Sequence, residues 1–167
     1  MSYSDKHTEQ TAPPLTLVEV RTMAGSDIEC YCSLFQNVFN AEPWKEQWDL
    51  TAIKTNIQNL LRKKDFMGMA AAAGSLPVGY VTGYNLGVWG RIFYVDQLFV
   101  APRYQGKGIG TQLISALHNR LKSRKTSMVF LLTKPNTIAK KAYVRFGYKR
   151  MFPWLLLRGK EILYKKL

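Results

Sequence analysis

A chain of 167 residues, 47% of them hydrophobic, is long enough for one domain with a well-covered core, and no second domain is visible. No apolar stretch approaches the ~20 residues of a membrane span, and the first fourteen residues lack the basic start and apolar core of a signal peptide. The net charge of +13 is unevenly spread: residues 1–50 carry three Lys/Arg against eight Asp/Glu, while the other 21 basic residues face only Asp65, Asp96 and Glu161. Such a basic part suits a polyanionic ligand and the acidic segment suits a cation, although a merely solvated basic surface gives the same composition. Cys30 and Cys32 lie in a helical pattern and point in different directions, which argues against a disulfide or a metal site. A reducing cytoplasm is the expected compartment.

Residues 1–14, polar and closed by Pro13-Pro14, read as a flexible N-terminal arm, and residues 15–167 as a single domain. "LTLVEVR" (15–21) alternates as a first strand. A helix follows with Ser26 or Asp27 as N-cap and Ile28, Tyr31, Leu34, Phe35, Val38 and Phe39 at helical spacing. A second helix, from about Thr51, carries Ile53, Ile57, Leu60 and Leu61 on one face and ends in "RKK". "FMGMAAAA", a Gly74-Ser75 turn and "PVGYVTGYNL" form a β-hairpin, and "RIFYVDQLFV" is the most strand-like segment. Ile109, Leu113, Ile114, Leu117 and Leu121 then mark an amphipathic helix ending in "KSRK". "SMVFLLT" reads as a buried central strand. "NTIAKKAYVRFG" is a helix with Asn136 as candidate N-cap and Gly147 as stop, and "YKRMF" and "EILYKKL" close the chain as strands. Three antiparallel strands followed by alternating helices and strands imply a mixed central sheet with helices on its faces.

"RYQGKGIGTQ" (103–112) follows the strongest strand and opens a helix, as a phosphate loop does. A Walker loop needs Ser or Thr after its lysine and a downstream Asp for magnesium. Here Gly108 follows Lys107, and no carboxylate lies between Asp96 and Glu161. The dinucleotide fingerprint fails too, because Gly106, Gly108 and Gly110 have the wrong final spacing and the region near residue 130 is apolar.

"VDQLFVAPRYQGKGIG" resembles motif A of the GNAT acetyltransferases, with Gln105, Gly108 and Gly110 at the positions of its Arg/Gln-x-x-Gly-x-Gly/Ala core. "NTIAKKAYVRFGY" is similar to the family's motif B, with Asn136, Ala139, Tyr143, Gly147 and Tyr148 in register. The resemblance implies an α/β (α+β) fold: a mixed, mainly antiparallel central sheet of about seven strands flanked by about four helices. It also implies acetyl-coenzyme A as acetyl donor and no metal. The donor would lie along Leu98, Phe99 and Val100, over Gln105, Gly106, Lys107, Gly108, Ile109, Gly110 and Thr111, and against Asn136, Ala139 and Tyr143. Leu98 would supply an N–H to the oxyanion, Val100 would pair with the pantetheine arm, and Tyr143 would be the acid that meets the leaving sulfur.

Attack on a thioester needs a neutral amine, yet an alkylamine with pKa ~10.4 is almost wholly protonated at pH 7. Asp96, the one carboxylate of the central strand, stands two residues before Leu98, and family members carry Glu at a similar place as base. Being a methylene shorter, Asp96 would act through water; Tyr94 or a terminal carboxylate stays open as an alternative. The resemblance places the segment between the first two helices at the acceptor cleft, where Glu42, Trp44, Glu46 and Trp48, with Asp49, set carboxylates among indoles. That mixture suits a cationic acceptor: a polyamine, an aminoglycoside or a lysine-like amine. The expected function is therefore transfer of acetyl to a primary amine of a cationic small molecule in a ternary complex. A non-catalytic module that binds coenzyme A or nucleic acid, and acetylation of a protein amine, are the alternatives. The expected partners are acetyl-coenzyme A and the amine, with no nucleic acid and no membrane; a homodimer stays open.

Overall fold

The computed structural model describes residues 18–87, 91–152 and 156–167; the expected arm and the first residues of the first strand lie outside them. In chain order the elements are β1 (Val18–Thr22), α1 (Ile28–Phe39), α2 (Leu50–Leu61), β2 (Met67–Ala73), β3 (Leu76–Asn85), β4 (Ile92–Val100), α3 (Ile109–Ser123), β5 (Met128–Thr133), α4 (Ile138–Arg145), β6 (Lys149–Arg150) and β7 (Glu161–Lys166). The strands form one 7-stranded sheet in the order β1-β2-β3-β4-β5-β7-β6. Among the described residues only β4 and β5 run parallel. Among the described residues no helix is long and apolar enough to cross a membrane.

The helical periodicities are spent on two separate cores. Ile109, Leu113, Ile114, Leu117 and Leu121 of α3 pack with Val78, Val81, Phe93, Val95, Val129 and Leu163 on one face of the sheet, where Tyr143 of α4 joins them. Tyr31, Phe35, Ile53 and Ile57 of α1 and α2 pack on Ala70, Tyr80 and Phe99 on the other face. Burying each large side chain contributes about 1.5–3 kcal/mol, and truncating the fully buried Leu117 to alanine would cost about 2–5 kcal/mol. The alanines of β2 are buried throughout the strand, so both helical layers rest close on the sheet.

Of the expected caps, Asp27 stands at the α1 N-cap, at the end of a 3₁₀ turn (Gly25–Asp27) that includes Ser26, but makes no side-chain cap to the helix. Its carboxylate instead takes two Arg21 hydrogen bonds at 2.7 Å and one from the Ala24 N–H. At α4 the cap is Thr137, whose hydroxyl accepts from the Lys140 N–H, while Asn136 adopts φ +61°, a left-handed conformation that asparagine tolerates better than threonine. Gly147 ends α4 with φ +82°, as its composition suggested.

"SMVFLLT" is central, between β4 and β7, but only one of its faces is closed. Val129, Leu131 and Thr133 are buried, whereas Met128, Phe130 and Leu132 are half-buried. The core formed with α1 and α2 takes in β2, β3 and β4 and stops there, which leaves this side of β5 open.

Candidate active site

The site begins where two neighbouring strands part. β4 pairs with β5 only from Ile92 to Val95. Beyond Val95, β4 continues along β3 alone, and β5 continues along β7 to Thr133. The divergence coincides with an irregularity in the β3–β4 ladder: Thr82 faces Gln97 and Gly83 faces Val95, so Asp96 is the extra residue of a bulge. Gly83 is what permits it. A Cβ there would meet the Tyr94 carbonyl at 2.2 Å and the Phe93 ring at 2.5 Å.

Past the bulge the backbone itself becomes a ligand. The Ala101 N–H donates to Val78, so the antiparallel alternation turns Phe99 toward β3 and Leu98 and Val100 toward the gap. The Val100 carbonyl accepts from Gln105 Nε2 at 2.9 Å, which ties the following loop to the strand. Leu98 and Val100 thus present N–H groups to a space where β4 has no neighbouring strand.

The loop continues the same line. A short 3₁₀ turn, Pro102–Tyr104, leads into Gly106 (φ +74°) and Gly108 (φ +81°), and Gly108 caps α3. No atom lies within 4 Å of where a Cβ would stand on Gly106, Gly108 or Gly110, so the glycine face is open to an approaching group. The first-turn N–H groups of Ile109, Gly110 and Thr111 have no helical acceptor, and the helix dipole adds positive potential there. The Lys107 ammonium stands 5.7 Å from the Tyr104 ring. This cradle fits a pyrophosphate.

Asp96 is half-buried among phenols. Burial pushes its carboxyl above the ordinary aspartate range, offset by a Gln97 hydrogen bond and by the more distant Lys160 and Lys63. Burial first, and Asp96 second, push Tyr94 up to about 12, and the same two causes raise Tyr84. The Tyr84, Tyr94 and Phe130 rings form a continuous surface, with centroid distances of 5.5 and 5.0 Å. The Asp96 carboxyl and the Tyr84 and Tyr94 phenols thus share one partly buried surface at the bulge.

Tyr143 reaches the same region from α4. It is buried, its hydroxyl is held protonated by burial and then by the neighbouring Tyr94, and its ring packs edge-on against Tyr148 at 5.6 Å. The Tyr148 hydroxyl is 2.8 Å from His118 Nε2, and burial pushes His118 down to about 4, so this imidazole is neutral. Lys140, one turn earlier on α4, makes a 2.7 Å ion pair with the buried Glu161 of β7, and Arg150 approaches Glu161 at 3.4 Å. These contacts fix the helix that carries Tyr143.

A profile of the Acetyltransferase (GNAT) family matches residues 29–148. The chain belongs to the GNAT acetyltransferase family. It is accordingly an acetyl-coenzyme A-dependent N-acetyltransferase. Acetyltransferase SG1711 of Sodalis glossinidius (strain morsitans) is 27% identical over 148 residues, spanning 87% of this chain and 96% of that protein. Among solved structures, the PaiA N-acetyltransferase from Thermoplasma acidophilum in complex with coenzyme A superposes with a TM-score of 0.74 at 18% identity, over 90% of this chain and 99% of that one. An aminoglycoside 6′-N-acetyltransferase complexed with coenzyme A gives 0.71 at 15% identity, over 89% and 96%. The GNAT fold expected from the two motifs is thus the fold observed.

In this GNAT domain the sequence-selected residues fall into two groups. Asp96, Leu98, Val100, Gln105 and the glycine loop lie along one path from the gap to α3, whereas Phe99 turns its backbone to β3 and its ring into the α1–α2 core and does not face that path. Asn136 and Ala139 stand at the start of α4, before Tyr143. The α1–α2 segment makes its own contacts: Trp48 Nε1 donates to Glu46 and its ring lies 5.6 Å from Phe35, while Glu42 pairs with Lys45. Trp44 packs on Phe39 and lies under Lys134. An open depression of about 450 Å³ beside this segment is lined by Gln36, Asn40, Glu46 and Trp48. It is a feature of the α1–α2 corner rather than of the Asp96 gap.

Sequence reading passed over Tyr84, Phe130, His118, Lys63 and Lys160. Tyr84 faces Tyr94 across the β3–β4 ladder and Phe130 faces it across the β4–β5 ladder, pairings set by strand register rather than by spacing within one segment. His118 falls on the apolar face of α3 at i+4 from Ile114, and that placement was the one signal available.

Proposed function

We propose that this enzyme transfers the acetyl group of acetyl-coenzyme A to a primary amine of a cationic small molecule, by direct attack in a ternary complex. The observation that carries the reading is the bulge at Asp96. It places a carboxylate with a raised pKa, beside an aromatic surface, two residues before a free backbone N–H in the gap between β4 and β5. The carboxylate and the Tyr84 and Tyr94 rings suit an ammonium group, and the N–H suits an oxyanion.

Asp96 takes the proton of the bound ammonium, through a water because its side chain is short, and leaves the nitrogen lone pair free. The nitrogen forms its bond to the acetyl carbonyl carbon, and the oxygen gathers charge against the Leu98 N–H. The nitrogen, positively charged in the tetrahedral adduct, gives its second proton to water, and the carbonyl re-forms as the C–S bond breaks, leaving a neutral amide. The sulfur leaves as a thiolate and takes a proton from Tyr143, or departs unaided, because a thiol of pKa ~8.5 is a good leaving group. Gln105, the glycine loop and Lys107 hold the pyrophosphate, and Asn136 and Val100 hold the pantetheine arm.

The test is release of free thiol from acetyl-coenzyme A with spermidine, an aminoglycoside, free lysine and a peptide with a free N-terminal alanine. The small cationic amines are expected to be turned over with kcat/KM well above that of the peptide. Turnover of the peptide alone would overturn the small-molecule assignment.

A further inference from the structure

We propose that the face of the Trp44 indole is a subsite for a positive charge on the acceptor, and that Lys134 of the same chain occupies it until that acceptor binds. Trp44 lies between α1 and α2, 5.7 Å from Phe39, which in turn lies 5.8 Å from Phe99 of β4. It is therefore anchored to the β4 bank of the gap. Lys134 directly follows Thr133, the last residue of β5, on the opposite bank. The Lys134 ammonium stands 5.6 Å from the centre of the Trp44 ring, within the reach of a cation–π contact. The contact therefore spans the two banks on the side where β4 and β5 have separated.

The chemistry identifies the occupant that would replace it. Indole is the strongest aromatic acceptor of a cation, and it does not distinguish one ammonium from another. Among the described residues Lys134 has no carboxylate partner, unlike Lys45, Lys54 and Lys140. Its ammonium is exposed, so exchanging it for a ligand's ammonium costs little desolvation. Glu46 on the same segment adds negative potential for whichever cation stands there, whereas the Glu42 charge is met by Lys45. The ligand class is an amine with a second positive charge besides the nitrogen that is acetylated. Lys134 then sets specificity by competition: an acceptor without a second charge leaves it in place.

The inference rests on the proposed small-amine activity, and the experiment separates the two. The readout is the ratio of kcat/KM for spermidine to kcat/KM for n-hexylamine, which cancels any change in folded fraction. Lys134→Gln is expected to raise this ratio ~2- to 5-fold, and Trp44→Leu to lower it by a similar factor, as an exposed cation–π contact implies. In Trp44→Leu protein, adding Lys134→Gln should give no further rise. If both amines are acetylated but the ratio is unmoved by Lys134→Gln or by Trp44→Leu, the subsite is overturned while the activity stands. A Lys134→Gln gain that persists in full without Trp44 also overturns it, because Lys134 would then act as a distant charge. If the wild-type enzyme acetylates neither amine, the small-amine activity falls and the subsite with it.

Discussion

Asp27 and Asp96 are the same side chain in opposite circumstances. Asp27, at the entrance to α1, is buried and satisfied: two Arg21 hydrogen bonds and the Ala24 N–H hold its carboxyl below the usual range. Asp96, at the β4 bulge, has no cation within ion-pair distance among the described residues, and burial pushes its carboxyl up. The fold neutralises one charge and leaves the other in want of a partner. That difference separates a carboxylate that holds structure from one whose charge is opposed by burial.

The largest effect that would sharpen this contrast is on turnover. Asp96→Asn should lower kcat by ~10²- to 10⁴-fold at neutral pH, with partial recovery at high pH, where more of the amine is already neutral. Because the base acts only when ionised, kcat/KM should fall as pH drops through the Asp96 pKa, which lies above that of an ordinary aspartate. Steady-state rates across pH read this directly. An acid limb that survives in Asp96→Asn would assign the proton to another group, Tyr94 foremost.

Next comes stability. Asp27→Asn should cost about 2–3 kcal/mol in urea unfolding at pH 7, below the figure for a fully buried pair because Arg21 is partly exposed. The folded-state pKa of Asp27 is lowered, so its contribution is fully present above the unfolded value of ~3.9 and is lost as pH falls through the folded value. The gap between wild type and variant should therefore narrow below pH ~4. A gap independent of pH would show that the hydrogen bonds matter and the charge does not.

Tyr143→Phe should lower kcat with acetyl-coenzyme A by ~10-fold or less, since a thiolate leaves readily. A loss as large as that of Asp96→Asn would make Tyr143 an equal partner in the chemistry and weaken the contrast drawn on carboxylates. The smallest effect is the mirror of Asp27. The raised pKa of Asp96 means that ionising it in the folded protein costs stability above the unfolded pKa. Asp96→Asn should therefore unfold at slightly higher urea at pH 7, with the advantage fading toward acid.

The glycine loop was legible residue by residue. Gln105, Gly106, Gly108 and Gly110 form a loop whose demands are local: positive φ, an open face and a helix start. The segment between α1 and α2 was legible only as composition. Glu46 and Trp48 do set an acid beside an indole, but the two meet each other, and Trp44 meets a lysine ninety residues away in the chain. The Asn136 cap was misplaced by one residue, because Thr137 and Asn136 are both good caps and only backbone geometry decides between them.

By itself the sequence determined the order of the elements, the glycine cradle, the segregation of charge and the family motifs, because periodicity, turn chemistry and capping act over a few residues. Only the tertiary structure decided that Asp96 is the extra residue of a bulge and that β4 leaves β5 just beyond it. It likewise decided that Asp27 and Asp96 shift in opposite directions, and that Lys134 lies over Trp44. Each of these depends on which remote segments share a boundary, and the cost of a buried charge is set by its surroundings rather than by its neighbours in the chain.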